Sequence, residues 1–216
     1  MSNRFSTQVK SGGPGQNNEK LTVTILGARP VDGAVSLGVP THYIHNGITH
    51  LENHILFIER NFKNIEWYIT AGFEADRVIK KSPQNMHVIE NMDYKNTNEA
   101  EEVRLVINAS KSEHILFLLS YKLFDDTIKN ITSQGSCIIF SKETKDIGVT
   151  VNNGLVENFS YGINNQWLGQ VYLAPKELRI AKNILKDRTR QNIYLFELIN
   201  LIIDKGGVIR GYENIN

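Results

Sequence analysis

Two stretches place reactive residue types where an α/β protein does its chemistry. The run SEHILFLLSYKLFDD, Ser112 to Asp126, reads as a buried strand that breaks at Ser120-Tyr121, and the end of such a strand is a common seat for a catalytic carboxylate. Here the residue is a tyrosine, a neutral group that can hydrogen-bond or stack but is no substitute for a hard anionic ligand. The nearest acids, Asp125 and Asp126, stand four and five residues beyond the tyrosine, where capping a helix is their ordinary role. The second stretch, ENMDYKNTNEAEEVRLVINA, sets Asn91, Thr97 and Asn98 ahead of a helix, and Thr97-Asn98 at its start can cap it and face a ligand at once. His42, His45, His50 and His54 are close in sequence, and the last two share a helix face. With no carboxylate pattern beside them, they read as core or solvated histidines rather than metal ligands. Trp167, Tyr172, Tyr161 and Phe159 read as packing for a hairpin rather than as a base-stacking platform. No Ser-His-Asp or Cys-His arrangement stands out.

The elements that position these residues follow from periodicity. Residues 1–20 carry SGGPGQNN and no apolar period, which predicts a flexible N-terminal arm with Phe5 and Val9 as its only large apolar anchors. From Leu21 to Asn216 one domain is expected. Its first half reads as strand KLTVTILG, a long glycine-containing loop, a short strand at THYIH, a helix over 49–62, strand IEWYITA, a helix at EADRVIKK, strand MHVIE, a helix over 98–109 and strand HILFLL. Strands and helices alternating at this spacing predict a parallel sheet covered on both faces. The second half adds SCIIFS, a hairpin turning at Asn153-Gly154, strand WLGQVYLA, a helix opened by Pro175 and a helix closed by Gly206-Gly207. The fold class is therefore α/β, three layers, with a mixed and mostly parallel sheet and an appended β-hairpin.

Composition narrows the function. At 216 residues and 41% hydrophobic the chain can bury a sizeable core, and a net charge of +1 with interspersed signs disfavours nucleic acid. Its apolar runs are too short to span a bilayer and no signal peptide is legible, so the cytoplasm is expected and a membrane is not. Cys137 is the only cysteine, which excludes an internal disulfide and a cysteine zinc site. The 23 asparagines among many isoleucines and lysines suggest an AT-rich bacterial, phage or viral genome, which leaves a viral particle as a second location. GPGQ shares residue types with the Gly-Gly-Gln loop of peptide release factors, but the order differs and no basic tail follows.

Longer segments carry a family resemblance. GVPTHYIHNGITHLENHILFIE, NIEWYITAGFEADRVIKK, ENMDYKNTNEAEEVRLVINA, WLGQVYLAPKEL and LINLIIDKGGVIRGYENIN together resemble, from about Leu21 to Asn216, the nucleotidyltransferases with a glycosyltransferase-A-type fold. These enzymes make nucleotide-activated sugars or cytidine-diphosphate choline from a nucleoside triphosphate and a phosphorylated substrate. The resemblance implies a nucleotide or sugar-phosphate site at Gly27, Arg29, Asn91, Thr97 and Asn98. The departures fall on the chemistry. Where the family has Gly-x-Gly-x-Arg and then Pro-Lys, this chain has Gly27, Arg29, Val31 and Thr41 after Pro40. Where it has a magnesium-holding Gly-Asp, this chain has Ser120-Tyr121, and the terminal Ile-Asp is Ile215-Asn216. Losing one preorganised charge at such a site costs roughly 3–4 kcal/mol, and four are missing; Arg29 and Lys122 could replace only part of the positive charge. The expectation is a nucleotidyltransferase-like protein without catalytic residues or cofactor, magnesium being needed only by an active form. It would act as a binding or structural subunit, self-associating or joining a larger assembly through the arm. The alternatives are a divergent active nucleotidyltransferase and a glycosyltransferase, the latter without an Asp-x-Asp motif.

Overall fold

A computed structural model describes residues 13–15, 19–31, 33–123, 132, 135–143 and 146–214. Phe5, Val9, Asp125, Asp126, Ile215 and Asn216 lie outside the described residues. At the edge of the expected arm, Gly15 is fastened to the domain, its carbonyl accepting the Lys63 N–H at 2.7 Å.

The first half forms the expected parallel core. Strand β1 (Leu21–Leu26) lies between β4 (Ile65–Ala71) and β6 (Ile115–Leu119), and β5 (Met86–Glu90) adds outside β4, all parallel. All residues of β1 and β6 are buried, as continuous apolar runs in a doubly covered sheet should be. Alternation then divides the core. Phe117, Ile138 and Val171 face helices α3 (Glu99–Ala109), α4 (Pro175–Ile184) and α5 (Leu195–Asp204). Ile25, Ile69, Leu118 and Tyr172 face α1 (His50–Asn61) and α2 (Ala75–Lys81). Helix α1 starts where the sequence says it should, because Thr49 and Glu52 close a capping box, Glu52 N–H to Thr49 Oγ1 at 3.1 Å and Thr49 N–H to Glu52 Oε2 at 2.7 Å.

The second half makes the sheet mixed. Strand β10 (Gln166–Leu173) runs antiparallel to β6 and to β7 (Cys137–Ser141), and β11 (Arg210–Glu213) is parallel to β7. Hairpin β8 (Ile147–Asn152) and β9 (Leu155–Tyr161) turns at Asn153-Gly154, with φ of 50° and 76°, the left-handed pair a tight hairpin requires. The hairpin is part of the sheet: β9 pairs β11, and Gln166 of β10 pairs Gly148 of β8. The strand order is β5-β4-β1-β6-β10-β7-β11-β9-β8.

The strand expected at THYIH is corrected. Pro40–His42 is a 3-10 turn, and only Ile44–His45 (β2) extends, pairing with Ile48–Thr49 (β3) across Asn46-Gly47. Proline fixes φ for the tight turn, which takes Thr41 inside. Among the described residues no helix is long and apolar enough to cross a membrane.

Candidate functional site

A cleft of about 260 Å³ opens at the C-terminal ends of β1 and β6, walled by the start of α3, by hairpin residues Asp146, Ile147 and Tyr161, by Trp167, and by Tyr194 before α5. This is where ligands bind in open α/β sheets. Its floor is built by three segments that the parallel strands bring together: the loop after β1, the turn after β6 and the N-terminus of α3.

The loop after β1 spends its donors inward. Gly27 N–H donates to Thr70 Oγ1 at 2.9 Å, and Ala28 N–H donates to Glu102 Oε2 at 3.1 Å. Thr70 Oγ1 also donates to the Glu102 carboxylate. Glu102 is 2% exposed, and burial raises its pKa, partly offset by these bonds. Amides that a phosphate loop would aim at a ligand are here committed to the Thr70 hydroxyl and to a buried carboxyl group. Gly27 is closely packed. A Cβ there would meet Thr41 Cγ2 and the Thr70 carbonyl, each at 3.3 Å.

Arg29 and Asn98 meet in the cleft wall. Arg29 Nη1 donates to the Thr97 carbonyl at 3.0 Å and to Asn98 Oδ1. Asn98 sits at the N-cap of α3, yet its side chain makes no capping bond; Nδ2 donates to the Asn192 carbonyl at 2.6 Å. The expected capping role is thus replaced by a bridge between Arg29 and the segment before α5. Asn91 and Thr97 do not line the cleft. They are buried and fold the 91–97 turn upon itself, Asn91 Nδ2 donating to Thr97 Oγ1 at 3.0 Å and Thr97 Oγ1 to the Asp93 carbonyl at 2.9 Å. Of the five residues expected from sequence, Arg29 and Asn98 line the cleft and Gly27 lies beneath it, while Asn91 and Thr97 support it from behind.

The turn after β6 holds Tyr121 and Lys122. Tyr121 is half-buried and packs against the α3, α4 and α5 side of the core; burial first, then the charges of Glu99 and Asp146, raise its pKa and keep the phenol neutral. Lys122 reaches over the Tyr121 ring, 5.4 Å from its centroid, and pairs with Asp146 at 3.3 Å. Two histidines pin this turn from α1: the His50 ring Nδ1 is 3.3 Å from the Ser120 carbonyl and His54 Nε2 is 2.8 Å from that of Lys122. His54 is fully buried, and burial pulls its pKa down to about 4. His50 and His54 are thus core histidines, one of the two readings left open by the sequence, and their work is to hold the turn. Thr41, which the resemblance sets against the family's lysine, is fully buried beneath Gly27 and does not face the cleft.

Acidic lining residues were not singled out from sequence. Glu99, Glu102 and Asp146 line the cleft against two cations, Arg29 and Lys122, both of which have protein partners. Burial, then the neighbouring Glu102, pushes Glu99 up to about 7. The only available signal was the i, i+3 spacing of Glu99 and Glu102, which puts both on one face, but acids in a first helical turn usually serve the helix dipole. Among the expected aromatic cluster, Phe159 and Trp167 pack edge to face at 5.4 Å and Tyr161 meets Phe196 at 5.4 Å. Tyr172 is on the opposite face of the sheet, against His114. Among the described residues no three His, Cys, Asp or Glu side chains converge as metal ligands, and Tyr121, where the resemblance expects a magnesium carboxylate, is a neutral phenol.

No protein-family model matches the chain, and no curated protein matches it in sequence. Its fold is matched by solved structures. An inositol-1-phosphate CTP transferase from T. maritima is 15% identical with a TM-score of 0.71, over 93% of this chain and 86% of that one. A CTP:phosphocholine cytidylyltransferase from Streptococcus pneumoniae is 12% identical with a TM-score of 0.72, over 91% and 90%. A UDP-glucose pyrophosphorylase complexed with UDP-glucose is 11% identical with a TM-score of 0.68, over 89% of each chain. The chain has the fold of these nucleotidyltransferases, at identities that speak to fold alone.

Proposed function

We propose that this chain is a nucleotidyltransferase-fold protein that no longer transfers nucleotidyl groups and serves as a binding or structural subunit of an assembly. The observation that carries the reading is the internal commitment of the loop after β1: the Ala28 amide is bonded to buried Glu102 and the Gly27 amide to Thr70. The surrounding charge supports it. A triphosphate entering the cleft meets three acidic residues and two cations that already have partners. Tyr121, at the position where the resemblance expects a magnesium carboxylate, supplies no anionic ligand.

The test has two arms. Pyrophosphate release is measured with each nucleoside triphosphate, magnesium, and a panel of sugar phosphates and phosphocholine; the reading predicts none above background. Magnesium-dependent release would restore the divergent-enzyme alternative. For the assembly role, residues 1–12 are deleted, leaving the Gly15–Lys63 contact in place, and mass is measured by light scattering. A smaller species supports a subunit joined through the arm, and an unchanged one removes the arm from the proposal.

A further inference from the structure

Away from the cleft, a depression of about 230 Å³ lies between α3 and the C-terminal turn of α4, ringed by Arg104, Lys182, Lys186 and Arg188 over a floor of Ile107 and Leu185. We infer that it is a second site, one that takes a small multivalent anion of the phosphate or diphosphate type.

The charge balance carries the inference. The chain as a whole is nearly neutral, with a net charge of +1, yet four of its cations converge on this one concavity. The carboxylate bonded to them is Glu101, 4% exposed, which takes Arg104 through two short bonds of 2.7 and 2.6 Å and Arg188 at 3.4 Å. Among the described residues Lys182 has no ion-pair partner, and Lys186 bonds only the neutral Asn183 side chain, at 2.9 Å. Both helices end here, α3 at Ala109 and α4 at Ile184. Each helix end carries about half a negative charge, which with Glu101 leaves an excess of roughly two positive charges. Arg188 offers a planar fork suited to phosphate oxygens, and the two lysines add mobile point charges. The apolar floor lowers the local dielectric and strengthens these contacts. The volume suits a phosphate or diphosphate group rather than a drug-sized ligand.

The experiment is a thermal-shift titration of the full chain at low salt with inorganic pyrophosphate, inorganic phosphate and, at matched ionic strength, sodium chloride. A saturable rise in melting temperature is expected with pyrophosphate, a smaller one with phosphate, and none with chloride. Lys182→Glu with Lys186→Glu changes two exposed residues and should weaken pyrophosphate binding at least about tenfold. Lys186→Gln, a milder change, should weaken it less. Arg29→Gln, in the cleft, should leave it intact. The inference is overturned by an unresponsive wild type, by an equal response to chloride, or by full response in the double variant. Loss of the response in Arg29→Gln also overturns it by placing the anion in the cleft, which would count against the proposed function too.

Discussion

Replacing Glu102 with alanine tests whether the loop amides are committed as described. Glu102 Oε2 is the acceptor for the Ala28 N–H at 3.1 Å and for the Thr70 hydroxyl. In Glu102→Ala the Thr70 hydroxyl keeps a second acceptor, the Ile25 carbonyl at 3.3 Å, so the group left unpaired is the Ala28 amide. An orphaned buried donor costs about 1–3 kcal/mol, and the truncated side chain leaves a gap that adds to it. Relief from burying a carboxyl group works in the other direction. A net loss on the order of 2–3 kcal/mol is expected, and for a chain of this size each kcal/mol lowers Tm by about 2–4 °C. Glu102→Gln keeps an acceptor oxygen and should lose less than half as much. The assay is thermal and urea unfolding of the three proteins side by side. A Glu102→Ala variant melting with the wild type, or above it, would refute the reasoning, because the amides would then be free for phosphate or the carboxylate an uncompensated burden.

The acid-linked groups pull in opposite directions. His54, at about 4 when folded against an ordinary 6.5, withholds a proton that the unfolded chain takes up, so its contribution is lost as pH falls below 6.5; Glu99, at about 7 against 4.5, contributes below 4.5 and loses that contribution as pH rises through 7. Relative to wild type, His54→Gln should therefore lose less stability on acidification from pH 6.5 to 4.5, and Glu99→Gln should lose more; urea unfolding across that range giving parallel profiles for all three would contradict both shifts. Thr41→Lys forces a lysine into a fully buried position and should cost several kcal/mol or prevent folding. A folded Thr41→Lys variant with wild-type Tm would mean the Pro40–His42 turn opens to the cleft. Gly72→Ala would drive a Cβ to 2.6 Å from Tyr94 Cβ and 2.7 Å from the Ala28 carbonyl, and should lower Tm by more than about 4 °C. Circular-dichroism melting checks it, and an unchanged Tm would show that the 94 turn does not press on the loop after β1.

Much of the fold was legible because its signals are local. The apolar runs of β1 and β6, the Thr49–Glu52 capping box, the Asn153-Gly154 turn and Pro175 at the head of α4 each act within a few residues. THYIH was misread because β-rich composition there is outweighed by Pro40 and by the burial of Thr41, a tertiary effect. The site was legible at Arg29 and Asn98 but not in its electrostatics. Glu99 and Glu102 look like ordinary helix-start acids until β1 and β4 bring the Ala28 amide and Thr70 onto Glu102. Asp146 reaches the cleft only because the hairpin returns beside β10. Asn91 and Thr97 carry side chains that suit a ligand equally well, and only the folded 91–97 turn reveals that they bond each other.

The most direct test of the central claim is calorimetric titration of each nucleoside triphosphate with magnesium into the wild type and into Arg29→Gln. The account predicts that any binding seen is the same in both proteins, because the cleft, with its amides committed and its cations paired, contributes none of it. Saturable binding by the wild type that Arg29→Gln abolishes would place the triphosphate in the cleft and contradict the account.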